Sequence, residues 1–194
     1  MSLNLLETVQ QNLHYQALQK VDPNTQEVVV DSTTPSEEKF SQAVIPSAIL
    51  ALYKYSTTEN GSQTILQNKE HEDWPSIVFG DKKDEFFDNV CKYSHQYADS
   101  CETKINTIFR AVVGAINERQ KNGHTDAEGV RKLLADQRNL VLPFLPSDIE
   151  LGKILDDTTL DDRTNKMEGP VSNLMHSIGN IFSSSDKDEV PKPF

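Results

Sequence analysis

Apolar side chains recur at intervals of three and four residues along most of this chain, the spacing that places them on one face of an α-helix. The longest such run consists of Ile105, Ile108, Phe109, Val112, Val113 and Ile116. A second run repeats every four residues from Phe40 to Leu52, and apolar residues between its members predict a helix buried on more than one face. Pro46 falls inside this helix, where its missing N–H predicts a kink.

Three further segments have a helical pattern. Leu3 to Leu13 predicts a first helix, and residues 81–96 predict an amphipathic helix rich in aromatic side chains. The leucine-rich stretch KLLADQRNLVLPFLPSDIELGKIL, from Lys132 to Leu155, has the composition of packed helices and carries few side chains suited to catalysis. Together these patterns predict an all-α protein, a compact bundle of about seven helices.

Capping boxes mark four predicted helix N-termini, each with a Ser, Thr or Asp three residues before a Glu. The pairs are Thr34 with Glu37, Asp99 with Glu102, Thr125 with Glu128, and Ser147 with Glu150. In each pair the first side chain is predicted to accept a hydrogen bond from the first helical turn. Strand patterns are scarce, and VDPNTQEVVVD at residues 21–31 fits a short hairpin or an ordered loop about equally well.

A long apolar helix, a polar turn and a helix that follows a glycine occur twice, at residues 44–66 and 108–134. We therefore predict a helical domain over residues 1–155 with two related halves, 1–70 and 80–155. A helix–turn–helix habit without a common origin explains the same pattern equally well.

The end of the chain has a different composition. Residues 156–170 are acidic and poor in core residues, which predicts a linker. Residues 171–182 have apolar positions at helical spacing and form either a docked last helix or a tethered recognition helix. Residues 183–194 are polar and contain two prolines, so we expect a flexible, disordered acidic tail.

Charge limits the range of partners. The 194 residues include 30 acidic and 19 basic side chains, a net charge of −11 at neutral pH. This field repels the phosphates of nucleic acids and of anionic membranes, so we expect neither as a partner. The first residues lack the features of a secretory signal, and no apolar run approaches the length of a membrane span. We therefore predict a cytoplasmic protein in which Cys91 and Cys101 are reduced thiols.

Cys91 and His95 are the pair with the most suggestive spacing, because residues four apart share a helical face. They fit half of a metal site or an activated thiol, whereas a small core residue is the plainer explanation of Cys91. Nearby aromatic residues line a pocket or, more commonly, fill the core: Trp74, Phe79, Phe86, Phe87, Tyr93 and Tyr97. The candidate pocket residues are therefore Trp74, Cys91 and His95.

Two other groups of ionisable residues have local explanations. The HED sequence at residues 71–73 fits a solvated turn before Trp74, since adjacent residues on a helix do not face one another. His124, Asp126 and Glu128 overlap a capping box. Because the sequence has no nucleotide-binding loop, zinc-protease motif or nucleophile elbow, we predict no catalytic residue, metal or cofactor. The sequence does not decide whether the protein is an enzyme, but the absence of these motifs argues against it.

The segment VRKLLADQRNLVLPFLPSDIELGKIL, residues 130–155, resembles the closing part of the bacterial domain of unknown function numbered 937, the YidB-like group. The matching residues are Leu133, Leu134, Gln137, Arg138, Leu145, Pro146, Leu151 and Gly152. Residues 40–66 are similar to the family's first half, with Pro46 inside an apolar helix and Gly61 in the following turn, and VFGDKKDEFFDNVCKYSH resembles its middle. The resemblance covers roughly residues 1–155 and implies an all-helical bacterial protein of unknown activity, without catalytic residues to carry over.

These observations favour a non-enzymatic protein-interaction module. The amphipathic segment lies beyond the helical domain, and its residues Leu174, Ile178 and Phe182 are the candidate contacts with a partner protein. The alternative is a small-molecule-binding protein or an unrecognised hydrolase that uses the region from Trp74 to Tyr97. Oligomeric state is not encoded in any of these patterns.

Overall fold

The computed structural model describes residues 3–29, 33–67, 73–123 and 126–161. Its α-helices are α1 (Leu5–Leu13), α2 (Ser36–Ser56), α3 (Gly61–Gln67), α4 (Trp74–Phe79), α5 (Lys83–Ser94), α6 (Ala98–Gly123), α7 (Ala127–Val141) and α8 (Leu151–Ile154). Short 3-10 helices occupy Gly80–Lys82, Leu142–Phe144, Ser147–Ile149 and Thr158–Leu160. The described residues contain no strand, which confirms the predicted all-α class.

Helix α2 is the centre of the molecule. Every residue from Ser41 to Leu52 is buried, so the helix is enclosed on all sides. The helices around it are α1, α3, α4, α5, α6 and α7. This arrangement confirms the prediction of a helix buried on more than one face. The hydroxyl of Ser47 donates to the carbonyl of Ala43 at 2.7 Å, so this buried polar group is satisfied within the helix.

Aromatic side chains fill the core between α4, α5 and α6. The rings of Phe79 and Phe86 stack with centroids 4.4 Å apart, and Phe109 meets Phe79 edge to face at 5.8 Å. Trp74, at the start of α4, is fully buried. The apolar periodicity of α5 and α6 is thus a core-forming pattern, and both helices turn these faces towards α2.

Helix starts differ from the predicted capping boxes by one or a few residues. Helix α2 begins at Ser36 with Pro35 in the capping position, and α7 is capped by Asp126, whose carboxylate accepts from the Gly129 N–H at 2.8 Å. The predicted caps Thr34 and Thr125 are therefore wrong. A carboxylate is at least as good a cap as a threonine hydroxyl, so the neighbouring Asp126 takes that role.

The other two boxes are also displaced. Helix α6 begins at Ala98, so Asp99 lies inside the helix rather than at its cap. Ser147 opens a single 3-10 turn, and α8 starts only at Leu151 after Glu150 adopts a left-handed conformation with φ of 52°. A three-residue spacing of Ser and Glu is thus compatible with a tight turn as well as with a helix start.

Residues 21–29 form an ordered loop rather than a hairpin. The Asp22 carboxylate accepts from the N–H groups of Asn24 and Thr25, at 2.7 and 3.2 Å, which fixes the turn that follows Pro23. The Val21 N–H donates to the Pro143 carbonyl at 2.8 Å. This bond attaches the loop to the segment after α7, so the loop lies against a distant part of the chain.

The folded part extends past the predicted domain boundary at residue 155. Leu160 is fully buried, and the Asp161 carboxylate binds the backbone at the start of α8. Residues 156–161 of the predicted acidic linker therefore belong to the compact domain, whereas the rest of the linker, the amphipathic segment and the tail lie outside the described residues. Within the described ranges, no helix is both long enough and apolar enough to cross a membrane.

Candidate functional site

The structure does not gather the three predicted pocket residues around one cavity. Trp74 is fully buried in the aromatic core. Cys91 is half-buried on α5 and lies close to Cys101, which is fully buried on α6. Burial, followed by the contact with Cys101, raises the pKa of the Cys91 thiol to about 12. His95 is exposed and sits at the end of α5, where it lines a groove.

The remaining sequence candidates have structural roles where they are described. The Asp73 carboxylate caps α4 by accepting from the Ser76 N–H at 3.2 Å, and His71 and Glu72 lie outside the described residues. Asp126 caps α7, next to the undescribed His124. The predicted partner contacts Leu174, Ile178 and Phe182 also lie outside the described residues.

The groove at His95 is formed by four separate segments of the chain. It has a volume of about 710 Å³. Its walls are the loop at residues 27–28, the second turn of α2, the last two turns of α5 and the turn at residues 147–150. A smaller depression along residues 16–19 shares two lining residues, Val28 and Lys39, with the groove. The groove is open to the surface and its lining residues are mostly charged or polar, so it is not a closed apolar pocket.

Hydrogen bonds fix the walls of this groove to one another. The Glu27 carboxylate accepts from the Ser147 hydroxyl and, at 2.9 Å, from the Asp148 N–H. The Ser147 N–H donates to the Gln26 carbonyl at 3.0 Å, so the two loops are joined through both backbone and side chain. The Asn89 amide donates to the Ile149 carbonyl at 3.1 Å and ties the same turn to α5. The groove is therefore a preformed feature of the fold.

Left-handed backbone conformations cluster at this site. Among the described residues, five non-glycine residues have positive φ, and His95 and Glu150, at 54° and 52°, line the groove. A third, Gln26, has φ of 59° and precedes the groove residue Glu27. This conformation is unfavourable for residues with a Cβ atom, so the surrounding contacts must hold it in place. Each residue ends a helix or reverses a loop at the groove wall.

The walls of the groove carry both paired and unpaired charges. The carboxylates of Glu27 and Glu150 are already engaged, the first by Ser147 and Asp148 and the second by Lys153 at 2.9 Å. In contrast, the ammonium groups of Lys39 and Lys92 have no hydrogen-bond or ion-pair partner within the described ranges. The Asp148 carboxylate likewise has none there. The groove thus exposes two free positive charges and one free negative charge.

Tyr93 adds no charge to the groove. Burial raises the pKa of its hydroxyl, and the nearby negative charges of Glu27 and Asp148 raise it further, so the group stays protonated at neutral pH. The hydroxyl is buried and has no hydrogen-bond partner among the described residues. An unpaired buried hydroxyl costs about 1–3 kcal/mol. Tyr93 therefore contributes its aromatic ring to the groove wall, and its buried hydroxyl has no hydrogen-bond partner among the described residues.

Sequence reasoning identified His95 but missed the groove as a whole. Lys39, Lys92 and Asp148 are ordinary charged residues in the sequence, and none belongs to a motif. They become a site only because α2, α5 and the turn after α7 meet at one end of the bundle. The only local signals in the sequence are the turn at Asp22–Asn24 and the Ser147 box, and each is explained by local structure alone.

Comparison of the chain with protein-family models, with curated proteins and with solved structures finds no significant match. The groove must therefore be interpreted from its own chemistry. Across the described part of the chain, no three His, Cys, Asp or Glu side chains are close enough together to hold a metal ion.

Proposed function

We propose that this protein is a non-enzymatic binding module that holds a segment of a partner protein in the groove. The observation that carries the proposal is the combination of a preformed, open groove with free charges of both signs on its walls. An extended segment fits an open groove because its successive side chains point in alternate directions and can reach opposite walls. The hydrogen bonds between the walls keep the entropy cost of binding low, since the site needs little ordering.

The protonation of the nearby side chains supports binding over chemistry. A cysteine nucleophile needs an accessible thiolate, but Cys91 has a pKa of about 12 and is directed towards Cys101. Tyr93 is likewise held in its neutral form. Neither group is prepared to act as a nucleophile or a base at neutral pH, whereas both are compatible with a static recognition surface.

Site-specific photo-crosslinking tests the proposal. A photoreactive amino acid introduced at His95 is expected to capture a partner protein, which is then purified and titrated against the unmodified chain by calorimetry. The same amino acid at Gln63, exposed on α3 at the opposite end of α2, is the matched control and should capture nothing above background. Equal capture at both positions, or a purified partner that does not bind, would refute the proposal.

The segment at residues 171–182 stays a proposed second contact. A chain that ends after Asp161 keeps the described core, including Leu160, and removes the whole segment. If Leu174, Ile178 and Phe182 contribute, the truncated chain should bind the captured partner more weakly but still form the His95 crosslink. Unchanged affinity would exclude the segment as a contact without affecting the groove.

Small-molecule binding is the second candidate function. The groove volume of about 710 Å³ falls in the range of ligand sites, about 300–1,000 Å³. This candidate replaces the first if the His95 crosslink captures no protein while a low-molecular-weight fraction of cell extract raises the unfolding temperature. The likeness to the YidB-like group, a bacterial origin and a cytoplasmic location are proposals too, supported by the sequence patterns and the acidic composition alone.

A further inference from the structure

We infer that the bound segment carries an acidic group that the unpaired ammonium groups of Lys39 and Lys92 attract, and a basic group that Asp148 attracts. This inference rests on the proposed function and specifies the chemistry of the partner segment. The acidic group is a carboxylate or a phosphorylated side chain, because both offer the charged oxygens that an ammonium group binds.

Charge accounting in the described part of the chain leads to this inference. Ion pairs engage six cations elsewhere: Lys54, Lys82, Lys83, Lys104, Arg131 and Lys153. Lys39 and Lys92 have no such partner within the described ranges, and unlike the unpaired Lys132 they line the groove together with Asp148. Because both ammonium groups line one groove, an anion bound there is attracted by each of them.

The negative side of the groove limits what can bind. Glu27 binds Ser147 and Asp148, Glu150 binds Lys153, and Asp148 adds a free carboxylate, so three acidic side chains line the groove. A purely anionic ligand would meet this field and be repelled. A segment with one acidic and one basic side chain fits this groove, because the acidic group is attracted by the two lysines and the basic group by Asp148.

Binding of defined peptides tests the inference. Peptides selected from a random displayed library for binding to the full chain are expected to be enriched in neighbouring acidic and basic residues. Synthetic forms of one selected peptide then carry glutamate, phosphoserine or glutamine at the acidic position. The glutamine form should bind about tenfold more weakly than the glutamate form, the loss expected for a charge-assisted hydrogen bond. The phosphoserine form shows which anion the groove prefers.

Variants of the chain assign the effect to the groove. The double variant Lys39→Gln/Lys92→Gln should bind the glutamate peptide about tenfold more weakly than the natural chain does. Its affinity for the glutamine peptide should change by less than about twofold, because only the glutamate peptide interacts with the two lysine charges. Lys132→Gln is the matched control, since Lys132 is an exposed lysine on α7 without a partner in the described part of the chain, near the opposite end of α2. Unfolding temperatures confirm that each variant is folded.

The outcomes distinguish a failure of the charge inference from a failure of the proposed function. One outcome is a peptide that binds and blocks the His95 crosslink, but whose affinity changes neither with the glutamine replacement nor in the double lysine variant. This outcome would overturn the charge inference and leave the proposed function intact. A library that yields no binder would overturn both. Asp148→Asn removes the free carboxylate and should lower the affinity for peptides that contain the basic residue. The affinity for peptides in which glutamine replaces that basic residue should not change.

Discussion

Gly152 lies where the chain after α8 folds back onto that helix. The Asp161 carboxylate accepts hydrogen bonds from the N–H groups of Gly152 and Lys153, both at 3.0 Å. A Cβ atom at position 152 would overlap this carboxylate and lie 2.6 Å from the carbonyl oxygen of Asp157. Glycine is thus required at this position by the close approach of Asp157 and Asp161, and the end of the described fold depends on the absence of a side chain.

Replacement of Gly152 tests this requirement. Gly152→Ala should lower the free energy of unfolding by about 2–3 kcal/mol, because the added methyl group displaces the carboxylate and exposes two backbone donors. The control is Gly114→Ala on α6, where a Cβ atom has no neighbour within 4 Å. That change should stabilise the chain by up to about 1 kcal/mol through helix propensity. Urea unfolding measures both, and equal effects would contradict the proposed contact.

At the scale of elements, buried glutamine amides join helices to distant segments. The Gln137 side chain on α7 accepts from the Leu5 N–H at 2.9 Å and donates to the Leu3 carbonyl at 2.7 Å. It thereby satisfies a free donor in the first turn of α1. Gln42 on α2 acts in the same way, since it donates to the carbonyls of Gln19 and Phe144 at 2.9 and 2.7 Å. Neither contact is visible in the periodicity of the sequence.

The Gln137 contact predicts a local effect on α1. Gln137→Leu keeps the volume but leaves the Leu5 donor unpaired in a buried position, so we expect a loss of about 2 kcal/mol in stability and faster amide exchange throughout α1. The control Gln11→Leu changes an exposed side chain of α1 and should alter stability by less than about 0.5 kcal/mol. Hydrogen exchange with mass spectrometry resolves α1 from the rest. Equally faster amide exchange in all helices would contradict a local effect of Gln137 on α1.

At the scale of the whole molecule, ion pairs join different helices and segments of the bundle. Lys54 at the end of α2 pairs with Asp157 at 3.1 Å, and Lys83 pairs with Asp73 and Glu102, each at 3.3 Å. Partial burial opposes ionisation of Asp73 and Asp157, but hydrogen bonds from Ser76 and Thr159 and the lysine charges outweigh it. The pKa values of both carboxyls are therefore lowered from 3.8.

These lowered pKa values predict how stability depends on pH. Because the folded-state values lie below the unfolded ones, protons bind more readily to the unfolded chain, so the contribution is complete above about pH 4 and disappears as the pH falls through the folded-state values. Asp157→Asn removes its share. The difference in unfolding free energy between the natural chain and this variant should therefore be largest near pH 6 and shrink below about pH 4. A difference that does not change with pH would show that the ion pair contributes nothing.

Much of the helical architecture was readable from apolar spacing alone. The runs at residues 40–52 and 105–116 are buried in α2 and α6 as predicted, because a helix buries whichever face carries its apolar side chains. Helix ends were harder to predict. Asp126 caps α7 in place of the predicted Thr125, because neighbouring polar side chains compete for the same backbone donors and the energy differences are about 1 kcal/mol or less. Helix α2 begins after Pro35, which provides no side-chain cap.

The sequence by itself determined the all-α class, the enclosed central helix and the excess of negative charge, because each follows from residue type and local spacing. Only the tertiary structure decided that Cys91 faces Cys101 while His95 faces a groove, although the two residues are four apart. The helix ends at Ser94, and the left-handed turn at His95 redirects its side chain. The groove itself joins Glu27, Lys39, Lys92 and Asp148, residues whose proximity arises from helix packing and leaves no trace in the order of the chain.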